Sequence, residues 1–257
     1  MTTRARICGF IPVFTLLCGA THLPAGPPDW TVNPAAYEFN GSVTSAVYRD
    51  LLDVGTDGDI LGAFAGEECR GVVDAKQTPG GNYVFLITVF SNQASGDSLR
   101  FRYYDSVMDV VCSIEEKVEF IPDMTIGSSF SPMEMHIDGC APFVPSNPIP
   151  CSSCWQDTVE TLSWDGGDPD SGDSVVYYLY LGTEIDPPLF DSTDVYPGSA
   201  TQINYSAPAL LDGLIYNWRV VALDRMGMST SSPVWSFSMG PDATEPTRWG
   251  RIKMLFE

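Results

Sequence analysis

Val159-Glu-Thr-Leu-Ser-Trp164, Val175-Val-Tyr-Tyr-Leu-Tyr-Leu181, Ile215-Tyr-Asn-Trp-Arg-Val-Val-Ala-Leu-Asp224 and Pro233-Val-Trp-Ser-Phe237 share one habit. Apolar and aromatic residues alternate with polar ones, and Gly, Pro, Asp and Ser separate the runs. A period of two sends successive side chains to opposite faces, so each run buries one face against a shared core. That pattern, over about 144–240, predicts an antiparallel β-sandwich.

Upstream, residues 26–143 read the same way. Glu38 to Tyr48 alternates, Ile60-Leu-Gly-Ala-Phe64 leads to Arg70-Gly-Val-Val73, and Leu99-Arg-Phe-Arg-Tyr-Tyr104 alternates cleanly. Tyr83-Val-Phe-Leu-Ile-Thr-Val-Phe90 is nearly continuous in apolar residues and predicts a strand buried on both faces. Turn signals at Thr56-Asp-Gly58, Pro79-Gly-Gly-Asn82 and Ala94-Ser-Gly-Asp97 punctuate the runs. No stretch holds a helical period. The fold class is all-β: two consecutive antiparallel sandwiches joined near the proline-rich segment from Pro142 to Pro150.

The second unit resembles a fibronectin type III domain. Trp164 stands where that family's core tryptophan would be. Tyr216, five residues after Leu211, stands where its corner tyrosine would be. The resemblance implies an immunoglobulin-like sandwich that displays or spaces other things. No Arg-Gly-Asp tripeptide is present, so integrin binding has no support in the sequence. In the first unit, the order Trp30-Thr-Val-Asn-Pro34, Asp59 to Gly71, Phe85 to Asn92 and Phe101-Arg-Tyr-Tyr-Asp105 is similar to a β-sandwich module of secreted bacterial proteins. That likeness brings no chemistry with it.

The ends differ in kind from the middle. Residues 1–25 carry Arg4 and Arg6, an apolar stretch from Ile7 to Leu17 and small residues near Ala20 and Ala25, the pattern of a secretory signal. Cys18 also raises a lipoprotein reading, against which Leu17 stands where a small residue is needed. No other apolar run reaches bilayer-spanning length. Residues 241–257 form a tail whose Arg248-Trp-Gly-Arg-Ile-Lys253-Met-Leu-Phe256 cluster suits an acidic partner, a sorting tag or a plain terminus.

The chain carries 33 Asp and Glu against 13 Lys and Arg, a formal net charge of −20. Such a surface repels nucleic acid and anionic membranes. Secretion also frames the cysteines. Cys69, Cys112, Cys140, Cys151 and Cys154 follow the signal, and export favours disulfides. The expected bridges are Cys69 to Cys112 within the first domain, closing about 43 residues and contributing roughly 3–4 kcal/mol, and Cys140 to Cys151 or Cys154, pinning the domains together. His136, Cys140, Cys151 and Cys154 also satisfy the count of a structural zinc site, an alternative that oxidation works against.

Little else points to chemistry. His136 is the one histidine beyond the signal, no Gly-x-Ser-x-Gly elbow occurs, and no phosphate loop or dinucleotide fingerprint appears. No catalytic residue and no required cofactor is expected. Asp165-Gly-Gly-Asp-Pro-Asp-Ser-Gly-Asp173 is the exception. Asp165, Asp168, Asp170 and Asp173 crowd one loop, and hard cations such as Ca²⁺ take six to eight oxygens from such loops. The other reading is a solvated acidic turn. Trp30, Tyr103, Tyr104, Trp155, Tyr177, Tyr180 and Tyr196 read first as ordinary core and strand-surface residues, and they include candidates for an outward aromatic row that would stack on sugar rings.

The functional expectation is a non-catalytic, secreted or cell-surface adhesion or spacer module with an extracellular protein or glycan partner. The alternatives are a carbohydrate-binding accessory protein and a small extracellular hydrolase.

Overall fold

The computed structural model describes residues 26–170 and 172–240. The expected signal (1–25) and tail (241–257) lie outside the described residues. Apart from one turn of 3₁₀ helix at Pro34–Ala36, the regular structure is β. No helix among the described residues is long and apolar enough to cross a membrane.

The first sandwich uses β1 (Phe39–Arg49), β2 (Ile60–Ala65), β3 (Glu68–Asp74), β4 (Tyr83–Ser91), β5 (Ser98–Asp105), β6 (Val110–Glu119) and β7 (Met133–Cys140). Hydrogen bonding runs in the order β3-β2-β5-β6-β7-β1-β4. The sheet becomes two layers at β7. Met133 to His136 pair with β1 and Ile137 to Cys140 pair with β6, with a bulge between Ile137 and Gly139 in the second pairing. A bulge of this kind bends a strand and lets it serve both layers.

Two sequence expectations change here. The β1–β7 pairing is parallel, so the sandwich is not wholly antiparallel. β4 buries one face only: Phe85, Ile87 and Val89 are fully buried while Leu86 is 48% exposed. The layer opposite β4 is β3, and the two backbones approach so closely that any side chain at Gly71 would collide with the Thr88 carbonyl. Only one layer covers β4; its other face meets water.

The first sandwich holds a buried carboxylate that no motif singles out. Asp59 is fully buried just before β2. It accepts the Thr56 N–H at 2.6 Å, the Thr56 hydroxyl at 3.1 Å, the Ser106 N–H at 2.9 Å, the Ser106 hydroxyl at 2.8 Å and the Tyr103 hydroxyl. Burial, reinforced by the Asp59 carboxylate, pushes the Tyr103 phenol far up, so it remains a donor. One side chain thus ties the β1–β2 loop to the end of β5.

The second sandwich uses β8 (Ser146–Ile149), β9 (Cys154–Gln156), β10 (Thr161–Asp165), β11 (Ser174–Gly182), β12 (Leu189–Ser192), β13 (Gln202–Ser206), β14 (Ile215–Asp224) and β15 (Trp235–Met239). One sheet is β8-β10-β13 and the other β9-β15-β14-β11-β12. This is the two-sheet arrangement of immunoglobulin-like sandwiches. The alternation read from the sequence is realised in β11, where Val175, Tyr177, Leu179 and Leu181 face inward.

Trp164 meets Tyr177 and Trp218 edge-on at 5.6 and 6.3 Å, and Trp218 meets Trp235 at 4.7 Å. Edge-to-face contacts suit the ring quadrupoles and make these indoles the centre of the core. The hydroxyl of Tyr216 accepts the Leu211 N–H at 3.0 Å, fastening the chain where it turns into β14. This is the tyrosine corner that the resemblance implied.

Disulfide pairing departs from expectation. Cys112 bonds to Cys140, its direct neighbour in register across β6 and β7. Cys151 bonds to Cys154 within one turn, and Cys69 is free and half-buried. No bridge joins the domains, and the zinc set built on His136, Cys140, Cys151 and Cys154 is dissolved. His136 instead bonds Glu116 through Nδ1 at 2.6 Å, which raises its pKa.

Candidate metal centre

The acidic loop after β10 does not act as one cluster; the fold divides it in three. Asp165 remains on β10 and accepts the Asn147 side-chain amide at 2.6 Å. Asp170 leaves the second sandwich for the first. Its Oδ2 accepts the Cys140 N–H, and its Oδ1 pairs with Arg49 at 3.4 Å. Asp168 and Asp173 turn inward, where a third acid joins them.

That acid is Asp224, at the end of β14. Asp168, Asp173 and Asp224 are 8%, 6% and 6% exposed, and each offers an oxygen within 4.8 Å of the others. The sequence reading missed Asp224 because it stands some fifty residues from the loop. The available signal was register: β11 and β14 pair with Val175 opposite Asp224, which sets Asp224 beside the start of β11.

Local backbone chemistry holds the three in place. Asp168 donates its N–H to the Gly198 carbonyl, and Gly198 donates to the Asp173 carbonyl, both at 2.8 Å. A Cβ at Gly198 would lie 2.9 Å from the Asp168 Cβ, so glycine is what lets this bracket close. Asp224 Oδ1 accepts the Met228 N–H at 2.8 Å across a hairpin that turns at Gly227, φ +86°. Asp168 Oδ1 accepts the Asp170 N–H at 2.8 Å, and Asp173 Oδ1 accepts the Ser174 N–H at 2.7 Å.

The electrostatics are unfavourable as they stand. Arg225 reaches Asp173 at 3.4 Å but is 71% exposed, so it offsets part of one charge. Burial pushes the Asp168 carboxyl up to about 6, and the charges of Asp170, Asp173 and Asp224 add to the shift against the Asp170 N–H bond. Asp224 is raised chiefly by burial too.

Next to this cluster the two sandwiches are bonded together. Arg49 approaches Asp105 of its own sandwich at 3.9 Å and Asp170 of the other, and it lies 3.3 Å from the Cys140 sulfur. Phe143 donates its N–H to the Gly167 carbonyl at 3.0 Å and accepts the Thr230 hydroxyl at 3.1 Å. Met226 packs over Gly139, where a side chain would collide with its sulfur. Ionic, main-chain and apolar contacts therefore coincide at one junction.

Beside the junction is a groove of about 670 Å³ lined by both sandwiches, with Phe64, Arg100, Arg102 and Lys117 on one wall and Met226 and Met228 on the other. Arg102 lies over the Phe64 ring at 4.6 Å and pairs with Glu67 at 2.7 Å. Arg100 and Lys117 stand opposite each other across β5 and β6. The aromatic candidates serve as core and strand-surface residues rather than as an outward row. Tyr103, Tyr104 and Tyr177 are buried, Trp30 packs edge-on against Phe64, and Arg219 covers the Tyr180 ring. Tyr196 meets the Tyr177 ring edge-on at 6.0 Å, and Trp155 is 49% exposed.

No family model and no curated protein matches the chain. Among solved structures it is similar to the BSP domain of a biofilm associated protein, at 15% identity and TM-score 0.25, over 75% of this chain and 26% of that one. It is also similar to a point mutant of Salmonella alpha-2-macroglobulin, at 13% identity and TM-score 0.28, over 78% of this chain and 15% of that one. The chain thus spans about a quarter of the first structure and less of the second.

Proposed function

We propose that this chain is a non-catalytic interaction module of the extracellular type, with a fibronectin type III-like second sandwich, that presents a surface at a set geometry. The observation that carries the reading is the junction. Arg49, Asp170, Cys140, Phe143, Gly167 and Thr230 bond one sandwich to the other without a covalent bridge. A tandem so joined transmits force and fixes spacing, which is what adhesion and spacer modules need. Two disulfides fit an oxidising compartment. The Trp164 core and the Tyr216 corner support the fibronectin-like assignment.

A second reading, glycan binding, rests on the junctional groove. Arg100 and Lys117 face each other there with no ion pair or side-chain hydrogen bond among the described residues. Like charges placed opposite one another on a sheet are unfavourable unless an anion intervenes. Glu67, Glu115 and Asp138 line the same groove beside Phe64 and two methionines, so this pair offers one local anion contact, suited to a single acidic group on a glycan.

Arrays of neutral glycans, acidic glycans and matrix proteins test both readings. The module reading expects saturable capture of one macromolecule with no bond cleaved in it; turnover of the captured ligand would contradict it. The groove reading expects capture of acidic glycans, weakened about tenfold or more by Arg100→Glu with Lys117→Glu, since charge complementarity sets such contacts. Unchanged capture by the double variant would remove the groove from the account.

A further inference from the structure

We infer that Asp168, Asp173 and Asp224 form a divalent-cation site, suited to Ca²⁺, that ties the acidic loop to the end of β14. The site belongs to the second sandwich and stands whatever partner the module takes.

The first argument is reach. Oxygens bound to one Ca²⁺ at about 2.4 Å lie no more than about 4.8 Å apart, and the three carboxylates each supply an oxygen within 4.8 Å of the others. The second is independent of the clustering. Each of Asp168 and Asp224 satisfies Oδ1 with a backbone N–H, yet Oδ2 of each is sealed from water with no hydrogen-bond partner among the described residues. A buried, unpartnered carboxylate oxygen is costly, and two of them on facing elements call for a positive group between them. Arg225 does not supply it, because its Nε reaches Asp173 Oδ1 from the solvent side.

The ligand chemistry is all oxygen, with no nitrogen or sulfur donor in the set, which selects hard cations over zinc or copper. Three carboxylates contributed by loop and strand end, rather than by one rigid helix, suit the larger and more variable shell of Ca²⁺ over the strict octahedron of Mg²⁺. Waters and nearby carbonyls would complete the shell.

The test is thermal unfolding and calorimetric titration of the purified protein, first stripped with chelator and then given Ca²⁺ or Mg²⁺. Binding with a midpoint of about 0.1–1 mM, the range of extracellular Ca²⁺ modules, and a rise in Tm on saturation are expected. Asp168→Asn and Asp224→Asn should each weaken binding at least about tenfold, the loss that even supporting residues of metal sites cause. Asp165→Asn, which alters the same loop outside the cluster, should leave binding unchanged.

Because Asn is nearly isosteric and relieves buried charge, Asp168→Asn should also raise the Tm of the cation-free protein. That outcome shows the variant folded and its lost binding local. Equal Tm and no heat with and without about 5 mM Ca²⁺ would overturn the inference. So would a full response in the Asp168→Asn, Asp224→Asn double variant, or equal loss in Asp165→Asn.

Discussion

Asp59→Ala is expected to lower stability by about 2–6 kcal/mol, the cost of stranding two buried backbone donors. The carboxylate is fully buried and accepts from two backbone N–H groups and three hydroxyls. Alanine leaves the Thr56 and Ser106 amides without the acceptor they have, at about 1–3 kcal/mol for each stranded donor, and leaves the Tyr103 hydroxyl only the longer bond to the Val54 carbonyl at 3.3 Å. It also frees the β1–β2 loop from the end of β5. Tyr103→Phe should cost less, because it removes donor and bond together and leaves the other four contacts to Asp59. Urea unfolding followed by circular dichroism would measure both. A loss below about 1 kcal/mol for Asp59→Ala would mean that water replaces the carboxylate and that the network is not what holds the loop.

Replacing Cys112 and Cys140 by alanine is expected to cost about 3–4 kcal/mol in the chain-entropy model for a separation of 28 residues. The same model assigns the Cys151–Cys154 bridge, three residues apart, about half as much. The first bridge has a further task. It joins β6 to β7 in the stretch where β7 has just left β1, and Arg49 lies against its sulfurs at 3.3 and 3.9 Å. Its loss should therefore loosen the Arg49–Asp170 contact as well as the sheet. The two alanine pairs, compared by denaturant midpoint, separate these cases. Equal loss from both would show that position in the sheet adds nothing to loop length.

Much of the architecture was legible because strand periodicity is a local property. The inward faces of β11 and β14 follow from alternation within each run, whereas the Trp164 core and the Tyr216 corner were expected from the resemblance to a fibronectin type III domain. The failures are failures of register and layering, which are not local. Cys112 pairs with Cys140 because β6 and β7 align there, and no spacing rule in the sequence says so. Tyr104, one of the candidates for an outward aromatic, is closed over by the β5–β6 turn, where its hydroxyl donates to Asp109 at 2.6 Å.

The acidic loop shows both sides at once. Its composition allowed a cation site or a solvated acidic turn, and the fold sends Asp165 to Asn147 and Asp170 to Arg49 while bringing in Asp224 through strand pairing. Asp59 escaped notice for a related reason. In a chain with 33 acidic residues, one more Asp after a glycine reads as turn chemistry until its burial is known.

Backbone ¹⁵N relaxation of the whole protein tests the central claim most directly, because it reports whether the two sandwiches tumble together. The bonded junction predicts one rotational diffusion tensor for both cores, and Asp170→Ala, which removes the acceptor of the Cys140 N–H and the partner of Arg49, should split it into two. Two independent correlation times in the unaltered protein would contradict the account, leaving a pair of sandwiches on a string rather than a module of set geometry.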